Sequence, residues 1–572
     1  MKSIKFVLLF LVFAFKGFSQ TQYYVSPMGN NTNDGATIST PWKTIQKAAN
    51  TAVPNSVVNI MAGTYNELVT INVSGTLGNP IVFKNYQNDV VTVSGAGFTG
   101  KYKNIIAINS KNNITIEGLI LENLICAYAN GVLVVSNVGQ AVENVILRNL
   151  KIRNVGFTTL ATQKPTAKNN AHGIEIYGQG IDATDAIKNI VVENCEINNC
   201  ITGYSEALTI NGNVEGYSIL NNSIHDNTNI GIDAAGNFGT SANAALDHAR
   251  NGLVAGNTVF NNVSKVANSS GIYCDGCQNT IIEKNNVYAN TVGIAVGCEP
   301  NGSADDVVVR NNWVHKNTYT GIEIGGYTTL TTGIVNNSVV KNNSCYFNDT
   351  ANLHGQMVIA KVNNCQFLNN IFYSNGNLLF YVDAIAPQNF TSYNNLFYTS
   401  VMAAGAPKVN NQYNTILFSD YQTTTARDLN ALVANPLFVD TNANTLNLHL
   451  QETSPAINAG SALFISSTEQ DFDGQYRYNA TPDLGADEFY AVQVTNKINS
   501  EKSLALIPNQ VSDTLLVDLK EKGTKLVVIY NLSGQLIKKL TVQNGTQIDL
   551  TGFPKGIYFA VASNGDHVKF VK

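Results

Sequence analysis

The feature that most constrains the fold of this chain is a short internal repeat. From about residue 113, apolar segments that end near asparagine recur at intervals of roughly 25 to 35 residues, and a second short strand lies between them. Such a period predicts a parallel β-helix, whereas a propeller blade would need about 40 residues and four strands for each repeat. The segments are NITIEGLIL, NVILRNLKI, NIVVENCEI, YSILNNSIH, NGLVAGNTV, NTIIEKNNV, DVVVRNNWV and GIVNNSVV, and the strands between them include HGIEIYG, EALTING, GIDAAG, GIYCDG, GIAVGC and GIEIGG.

Asparagine occupies one turn position in successive repeats. Stacked asparagine side chains can hydrogen-bond along a stack and satisfy backbone groups at a buried turn. The repeat therefore predicts an asparagine ladder. Its predicted members are Asn222, Asn257, Asn285, Asn312, Asn337, Asn370 and Asn395.

The amino-acid composition excludes several classes of protein. The chain has 572 residues, of which 44% are hydrophobic and 13% charged, with a formal net charge of -5. The apolar content is ample for a large core, and no basic surface is expected to bind nucleic acid. Eight cysteines are too few for a disulfide framework, although a Cys274–Cys277 or Cys274–Cys298 bridge stays open. The chain has neither paired CxxC motifs nor HExxH, so no metal site is predicted.

The two ends of the chain indicate export. Residues 1–19 have the pattern of a signal peptide, with Lys2 and Lys5 before an apolar run that Lys16 ends. That run is too short to span a bilayer, and no later stretch reaches spanning length. Near the other end, IYNLSGQ, FPKGIYF and KFVK resemble the C-terminal sorting domain of the type IX secretion system. Only IPNQ at Ile507 departs from the family, which usually has a second proline there.

This resemblance implies a small β-sandwich sorting domain over residues 491–572, the type IX machinery as a partner, and a secreted or cell-surface location. The opening of the mature chain, with a short amphipathic helix in PWKTIQKAAN, resembles the N-terminal cap of right-handed parallel β-helix proteins that act on polysaccharides. Two stretches, residues 435–460 and 471–489, resemble the C-terminal cap of secreted bacterial β-helix proteins. We therefore predict an all-β chain: a right-handed parallel β-helix over residues 20–430 and its cap over 431–490.

The strands between the repeated segments predict one functional face. Aligned on their leading Gly or Ala, they sort their outward residues into two files whose members lie about 4.8 Å apart between coils. Carboxylates, aromatic rings and small residues therefore share one long surface. The first file is Glu175, Thr209, Asp233, Tyr273, Ala295 and Glu323, and the second is Tyr177, Asn211, Ala235, Asp275, Gly297 and Gly325.

Three carboxylates are the predicted catalytic groups: Asp275, Glu299 and Asp233. Glycosidic cleavage needs a proton donor for the leaving oxygen and a second carboxylate as base or nucleophile. Asp275 and Glu299 lie on adjacent coils, about two residues out of register, which places their backbones about 8 Å apart. Crowded carboxylates raise the pKa of one member, as a general acid requires. The alternative interpretation of each is a solvated surface group.

The predicted substrate-binding residues surround these carboxylates along the same face. His248 and Arg250, in DHARNG at the end of a long insertion, either bind an anionic sugar or anchor the loop. The full set is Glu175, Tyr177, Asn211, His248, Arg250, Tyr273 and Glu323.

The order GI-x-CD, followed one coil later by a glutamate, resembles the catalytic region of β-helix glycoside hydrolases such as the family 120 β-xylosidases. The resemblance covers about 30 residues. It implies that Asp275 and Glu299 divide the nucleophile and acid/base roles. Gly276 stands where that family has a tryptophan.

Three functions stay open. The leading hypothesis is a glycoside hydrolase that acts on a polysaccharide or oligosaccharide and requires no cofactor. The second is a lyase for a uronate polysaccharide, for which His248, Arg250 or Tyr273 would supply a base and Ca²⁺ would neutralise the uronate. The third is a carbohydrate-binding or adhesin scaffold without activity, since a fold does not set a function.

Overall fold

The computed structural model describes residues 20–166, 169–325, 332–401, 406–442, 444–477, 481–490, 504–507, 514–519, 523–531, 536–562 and 567–572. The predicted signal peptide lies outside these residues. The chain divides into two compact units, Met1–Phe489 and Tyr490–Lys572.

In the described part of the first unit, most strands form three long sheets, which successive coils visit in the order sheet 1, sheet 2, sheet 3. Sheet 1 contains β1 (Thr21–Val25), β2 (Ser56–Ile60), β5 (Ile81–Asn85), β8 (Ile114–Glu117), β11 (Val142–Arg148), β14 (Ile187–Glu193), β17 (Val214–Leu220), β20 (Ala249–Ala255), β23 (Gln278–Glu283), β26 (Ser303–Asp305), β27 (Val308–Arg310), β30 (Ile334–Asn336), β31 (Val339–Lys341), β34 (Val362–Leu368) and β37 (Gln388–Tyr393). Sheet 2 contains β3 (Gly63–Tyr65), β6 (Val91–Ser94), β9 (Ile120–Ile125), β12 (Lys151–Gly156), β15 (Glu196–Asn198), β18 (Ser223–His225), β21 (Thr258–Phe260), β24 (Asn286–Tyr288), β28 (Trp313–His315), β32 (Ser344–Tyr346), β35 (Ile371–Ser374), β38 (Leu396–Thr399) and β41 (Leu432–Val433). Sheet 3 contains β4 (Val69–Ile71), β7 (Asn104–Asn109), β10 (Ala129–Ser136), β13 (Ala171–Gly178), β16 (Leu208–Gly212), β19 (Ile232–Ala235), β22 (Ser270–Asp275), β25 (Val292–Gly297), β29 (Thr320–Ile324), β33 (Met357–Ile359), β36 (Leu378–Val382), β39 (Lys408–Asn411) and β40 (Asn414–Leu417).

The coils pair in parallel and stack their apolar residues in register. Ile232, Ile272, Ile294 and Ile322 pair in succession along sheet 3, and none is more than 1% exposed. Burying one such side chain contributes about 1.5–3 kcal/mol. This architecture confirms the predicted right-handed parallel β-helix.

A buried asparagine ladder runs along the turn between sheets 1 and 2. From the first member to Asn370, each side-chain Nδ2 donates to the Oδ1 of the next asparagine at 2.9–3.1 Å and to a backbone carbonyl. The last member, Asn395, donates to Asp428 Oδ1 instead. The prediction of Asn337 was wrong, because this coil contains Asn-Asn-Ser twice, at 336–338 and 342–344, and the second copy supplies the member. Asn337 bonds Asn364 instead. The members are Asn222, Asn257, Asn285, Asn312, Asn343, Asn370 and Asn395.

A second ladder, which the sequence analysis missed, runs along the turn between sheets 2 and 3. Its side-chain amides bond one another at 2.8–3.3 Å and end on the amide of Gln356. Each asparagine follows a member of the first ladder by five residues. The two ladders therefore border sheet 2 on both sides. The members are Asn227, Asn262, Asn290, Asn317 and Asn348.

Two helices pack on the ends of the core. The helix predicted within residues 41–50 is α1 (Ile45–Thr51), which buries Ile45 and Ala48 on the first coils. At the other end, α2 (Phe418–Thr425) packs Phe418 against Phe397 with ring centres 4.9 Å apart. A 3-10 turn spans Tyr86–Asn88.

The region expected to cap the helix, residues 431–490, mostly packs on its side. We call residues 435–489 the folded-back segment; it contains the hairpin of β42 (Phe438–Asp440) and β43 (Asn447–Leu450). Apolar residues of this segment pack against Trp313, Tyr346 and Ile371 on the outer face of sheet 2. Buried Glu469 also pairs with Lys341 at 2.6 Å. The end of the core is instead covered by α2.

In the described residues of the C-terminal unit, two antiparallel sheets surround an apolar core. This arrangement confirms the predicted small β-sandwich. One sheet contains β44 (Leu504–Ile507), β45 (Thr514–Leu519) and β48 (Gln547–Asp549); the other contains β46 (Lys525–Asn531), β47 (Leu536–Val542), β49 (Ile557–Ala562) and β50 (His567–Val571). Among the helices of the described residues, none has the length and apolar character needed to cross a bilayer.

Candidate active site

A groove follows the outer face of sheet 3, where the predicted files lie. Register pairs confirm the alignment of the first file from Glu175 to Glu323. The main cavity has a volume of about 570 Å³ and adjoins a smaller cavity of about 130 Å³, with Glu299 lining both. Acidic residues from separate coils therefore meet on one surface. Those of the main cavity are Glu175, Glu206, Asp233, Asp275 and Glu299.

Asp275 ends β22, and its carboxylate lies beside the backbone of the next coil. The residue is 2% exposed, and its Oδ1 accepts the backbone N–H of Glu299 at 2.6 Å. A disulfide between Cys274 and Cys277 closes a short loop around it. Gly276 in that loop has φ +81°, a conformation that disfavours other residues. The loop and the hydrogen bond together fix the position of Asp275.

Asp233, in the middle of β19, is the most poorly satisfied of these carboxylates. It is 4% exposed, and its Oδ1 has no hydrogen-bond partner among the described residues. Burial, followed by repulsion from Glu206, Asp275 and Glu299, raises the pKa of Asp233 well above its ordinary value. Burial and then Glu299 raise the pKa of Asp275 in the same way. The groove thus resists full ionisation of its carboxylates.

A histidine lies at one side of the groove between two further carboxylates. His172 Nε2 lies 3.5 Å from Glu206 Oε2, and its Nδ1 lies 3.9 Å from Glu175 Oε2. Burial lowers the pKa of His172, but the two carboxylates outweigh burial and raise it overall. Asn130 donates to Glu175 at 2.8 Å and holds that carboxylate in place.

Glu206 is the main residue of the groove that the sequence analysis missed. It precedes β16 by two residues and stands just before Ala207, the residue on which that strand was aligned, so it fell outside both files. Its carboxylate nevertheless lines the main cavity and raises the pKa of both Asp233 and Asp275. An alignment that also covered the residues just before each strand would have included Glu206.

The smaller cavity continues the groove past Glu299. It is lined by Tyr273, Tyr319 and Glu323, of which Tyr319 was not predicted. Burial raises the pKa of Glu323 to about 7. Tyrosine rings beside carboxylates offer a ligand both a stacking surface and hydrogen bonds.

The other predicted binding residues divide between groove and scaffold. Asn211 lines the main cavity. Tyr177 pairs with Asn211 in register on sheet 3 but is not among the described residues that line either cavity.

For His248 and Arg250 the sequence left two interpretations open, substrate binding and anchoring of the insertion, and the structure contradicts the first and supports the second. His248 is buried, with Nδ1 3.2 Å from the Gly276 carbonyl oxygen. Arg250 belongs to β20 in sheet 1 and donates to Glu215 Oε2 at 3.2 Å and Asn213 Oδ1 at 2.9 Å. Because β20 begins at Ala249, the insertion ends on sheet 1 and both residues anchor it there.

The described part of the chain contains one group of three metal-ligating side chains with ligand atoms close together. It consists of His449, Asp473 and Asp487 in the folded-back segment, outside the groove. The sequence analysis did not predict it. The groove itself presents carboxylates of raised pKa, a histidine and tyrosines, which suit proton transfer to and from a bound substrate.

Comparison with known proteins identifies the C-terminal unit. Residues 505–572 match the family of the secretion system C-terminal sorting domain. This match marks the chain for export to the cell surface or the extracellular space.

Among solved structures, the chain is similar to pectate lyase Pel9A, with a TM-score of 0.44 and 14% identity over 83% of this chain and 98% of that one. It is also similar to a GH136 lacto-N-biosidase from Eubacterium ramulus, with a TM-score of 0.48 and 13% identity over 68% of this chain and 67% of that one.

A closer sequence relative is YwoF, an uncharacterized protein of Bacillus subtilis (strain 168). The two are 32% identical over 447 residues, which cover 76% of this chain and 91% of YwoF. The chain therefore belongs to the same protein family as YwoF.

Proposed function

We propose that this exported chain, with a signal peptide at residues 1–19, is a glycoside hydrolase. Asp275 and Glu299 act as the pair of carboxylates at the scissile bond, and Asp233 tunes their protonation by repulsion. The observation that supports this most strongly is the burial of Asp275 and Asp233 side by side in an open groove, with the pKa of each raised.

The chemistry requires one carboxyl group that keeps a proton near neutral pH and another that is ionised. Adjacent buried carboxylates cannot all ionise, so a proton stays within the set at a pH where an exposed aspartate has lost it. Glu299 is exposed at the junction of the two cavities and faces both parts of the groove. A sugar in either cavity therefore lies beside a proton donor and a second carboxylate.

The experiment is a screen of the exported chain on plant, algal and uronate polysaccharides, with new reducing ends as the measurement. We expect Asp275→Asn to lower the rate by at least about 100-fold, the low end of the effect of a general acid or base. Asp306→Asn, an exposed aspartate on a turn of sheet 1, is the matched control and should keep wild-type activity.

Retained activity in Asp275→Asn would remove Asp275 from the mechanism. Unsaturated products that absorb in the ultraviolet would indicate a lyase instead of a hydrolase. A wild-type chain that binds a polysaccharide and releases no product of either kind would indicate a binding scaffold.

A further inference from the structure

A second constellation of ionisable side chains lies on the folded-back segment, beside the outer face of sheet 2. His449 lies on β43, Asp473 in the turn after Phe472, and Asp487 near the end of the segment. His449 Nε2 is 2.5 Å from Asp473 Oδ2, and the ligand atoms of all three residues lie within 4.8 Å of one another. A nitrogen and two carboxylate donors therefore converge from three separate stretches of chain.

The imidazole of His449 is oriented as a metal-binding histidine would be. Its Nδ1 is hydrogen-bonded to Asn447 Oδ1, which leaves Nε2 as the atom that faces the carboxylates. A ligating histidine usually donates its other N–H to an oxygen acceptor in this way. The ring also meets Trp313 edge-on at 5.0 Å, and Trp313 stacks on Phe472 at 4.3 Å.

Asp487 is the most buried of the three residues and has one carboxylate oxygen available for a ligand. It is 5% exposed, and its Oδ2 accepts the backbone N–H of Leu450 at 2.7 Å. Its Oδ1 accepts no hydrogen bond from the described residues and is not fully buried, so water or a ligand can reach it. A cation bound between Asp487 and its neighbours would satisfy that oxygen.

The local charge also favours a cation. Asp471, fully buried, accepts backbone N–H groups from Asp473 and Glu488 and adds a third carboxylate to the neighbourhood. The nearby Arg477 forms an ion pair with Glu488, with Nη1 3.0 Å from Oε2, and so does not neutralise these carboxylates.

We propose that His449, Asp473 and Asp487 bind one divalent transition-metal ion of the zinc class. Zinc takes histidine nitrogen and carboxylate oxygen together, with water as a fourth ligand. Calcium prefers six to eight oxygens, which these three residues do not provide. The ion would tie β43, the Asp473 turn and the end of the segment together, and so hold the folded-back segment on sheet 2.

The experiment titrates the full exported chain, purified without a histidine tag, with zinc chloride in a calorimeter. Wild type should bind one Zn²⁺ that Ca²⁺ does not displace. His449→Gln and Asp473→Asn should each weaken that binding by more than about 100-fold, since even loss of an outer-shell partner costs about 10- to 100-fold. Both side chains are partly exposed, so the variants should fold.

The matched control is His225→Gln. His225 also pairs with a neighbouring aspartate, Asp226, at 2.7 Å, but lies on β18 away from this constellation. The control should keep the wild-type stoichiometry and affinity, and Zn²⁺ should raise the Tm of wild type and control but not of His449→Gln. Wild type without stoichiometric Zn²⁺ binding, or His449→Gln with wild-type affinity, would overturn the proposal. The proposal does not depend on activity in the groove.

Discussion

The asparagine ladders and the groove carboxylates are both rows of buried polar side chains on the same solenoid, yet they are satisfied to opposite degrees. In the ladder, Asn285 receives hydrogen bonds from Asn257 and donates to Asn312 and to the Val254 carbonyl, all at 2.9–3.0 Å. In the groove, Asp233 Oδ1 has no partner in the part of the chain that the structure describes.

The difference follows from the chemistry of the two side chains. An amide both donates and accepts, so a row of asparagines can bond from coil to coil without charge. An ionised carboxylate only accepts, so neighbouring carboxylates repel each other and lose hydration on burial. The ladders stabilise the fold, whereas the groove weakens it, as expected where a function requires the unfavourable arrangement.

The largest expected change in the free energy of unfolding comes from a substitution in the asparagine ladder. Asn285→Ala would remove the acceptor of the Asn257 backbone N–H and the donor to the Val254 carbonyl in a buried turn. The Asn257 side-chain amide would keep only its bond to the Ile219 carbonyl. Each unsatisfied buried group costs about 1–3 kcal/mol, so we expect the free energy of unfolding to fall by about 3 kcal/mol or more. Urea denaturation followed by circular dichroism measures this. Exposed Asn389→Ala on sheet 1 is the control, and equal losses in both variants would contradict the ladder's role.

A smaller effect of opposite sign is expected in the groove. Asp233→Asn removes a buried charge and should raise the free energy of unfolding near neutral pH by about 2 kcal/mol. The folded-state pKa of Asp233 is raised, so its contribution to stability is present below its unfolded value of 3.8 and is lost as pH rises above it. The gain of Asp233→Asn should therefore disappear at about pH 4 and below. A constant difference across pH would show that charge is not its cause.

The repeats predicted the fold of the solenoid, but not, in every coil, which asparagine belongs to the ladder. Alternating apolar residues and the spacing of asparagine predicted the parallel β-helix, because each coil repeats the same burial pattern. The sequence assigned the wrong asparagine, Asn337, to the ladder. Two copies of Asn-Asn-Ser lie six residues apart there, and the local sequence does not distinguish them. Only the packing of successive coils places Asn343 in the ladder.

The site was predictable where strand periodicity determines it. Asp233, Asp275, Glu299 and Glu323 line the two cavities, because parallel register carries outward residues from coil to coil. Glu206 was missed because it precedes Ala207, on which its strand was aligned, and lies outside β16, where no period of two applies. For His248 and Arg250 the sequence could not choose between substrate binding and anchoring, since the path of an insertion depends on tertiary contacts. The folded-back segment was misplaced because its contacts with sheet 2 are distant in sequence.

The smallest expected effect on stability concerns the disulfide beside Asp275, which belongs to the groove rather than to the ladders. The two bonded cysteines are only three residues apart in sequence. The chain-entropy model therefore predicts that the disulfide stabilises the fold by less than about 2 kcal/mol. Cys274→Ala/Cys277→Ala should therefore lower stability little beyond Cys345→Ala, a control that truncates a buried free cysteine. Activity should fall much further, because the loop holds Asp275 against the Glu299 backbone. If the double variant lost much stability but kept its activity, the disulfide would stabilise the fold, as the ladders do, and would not serve to position Asp275.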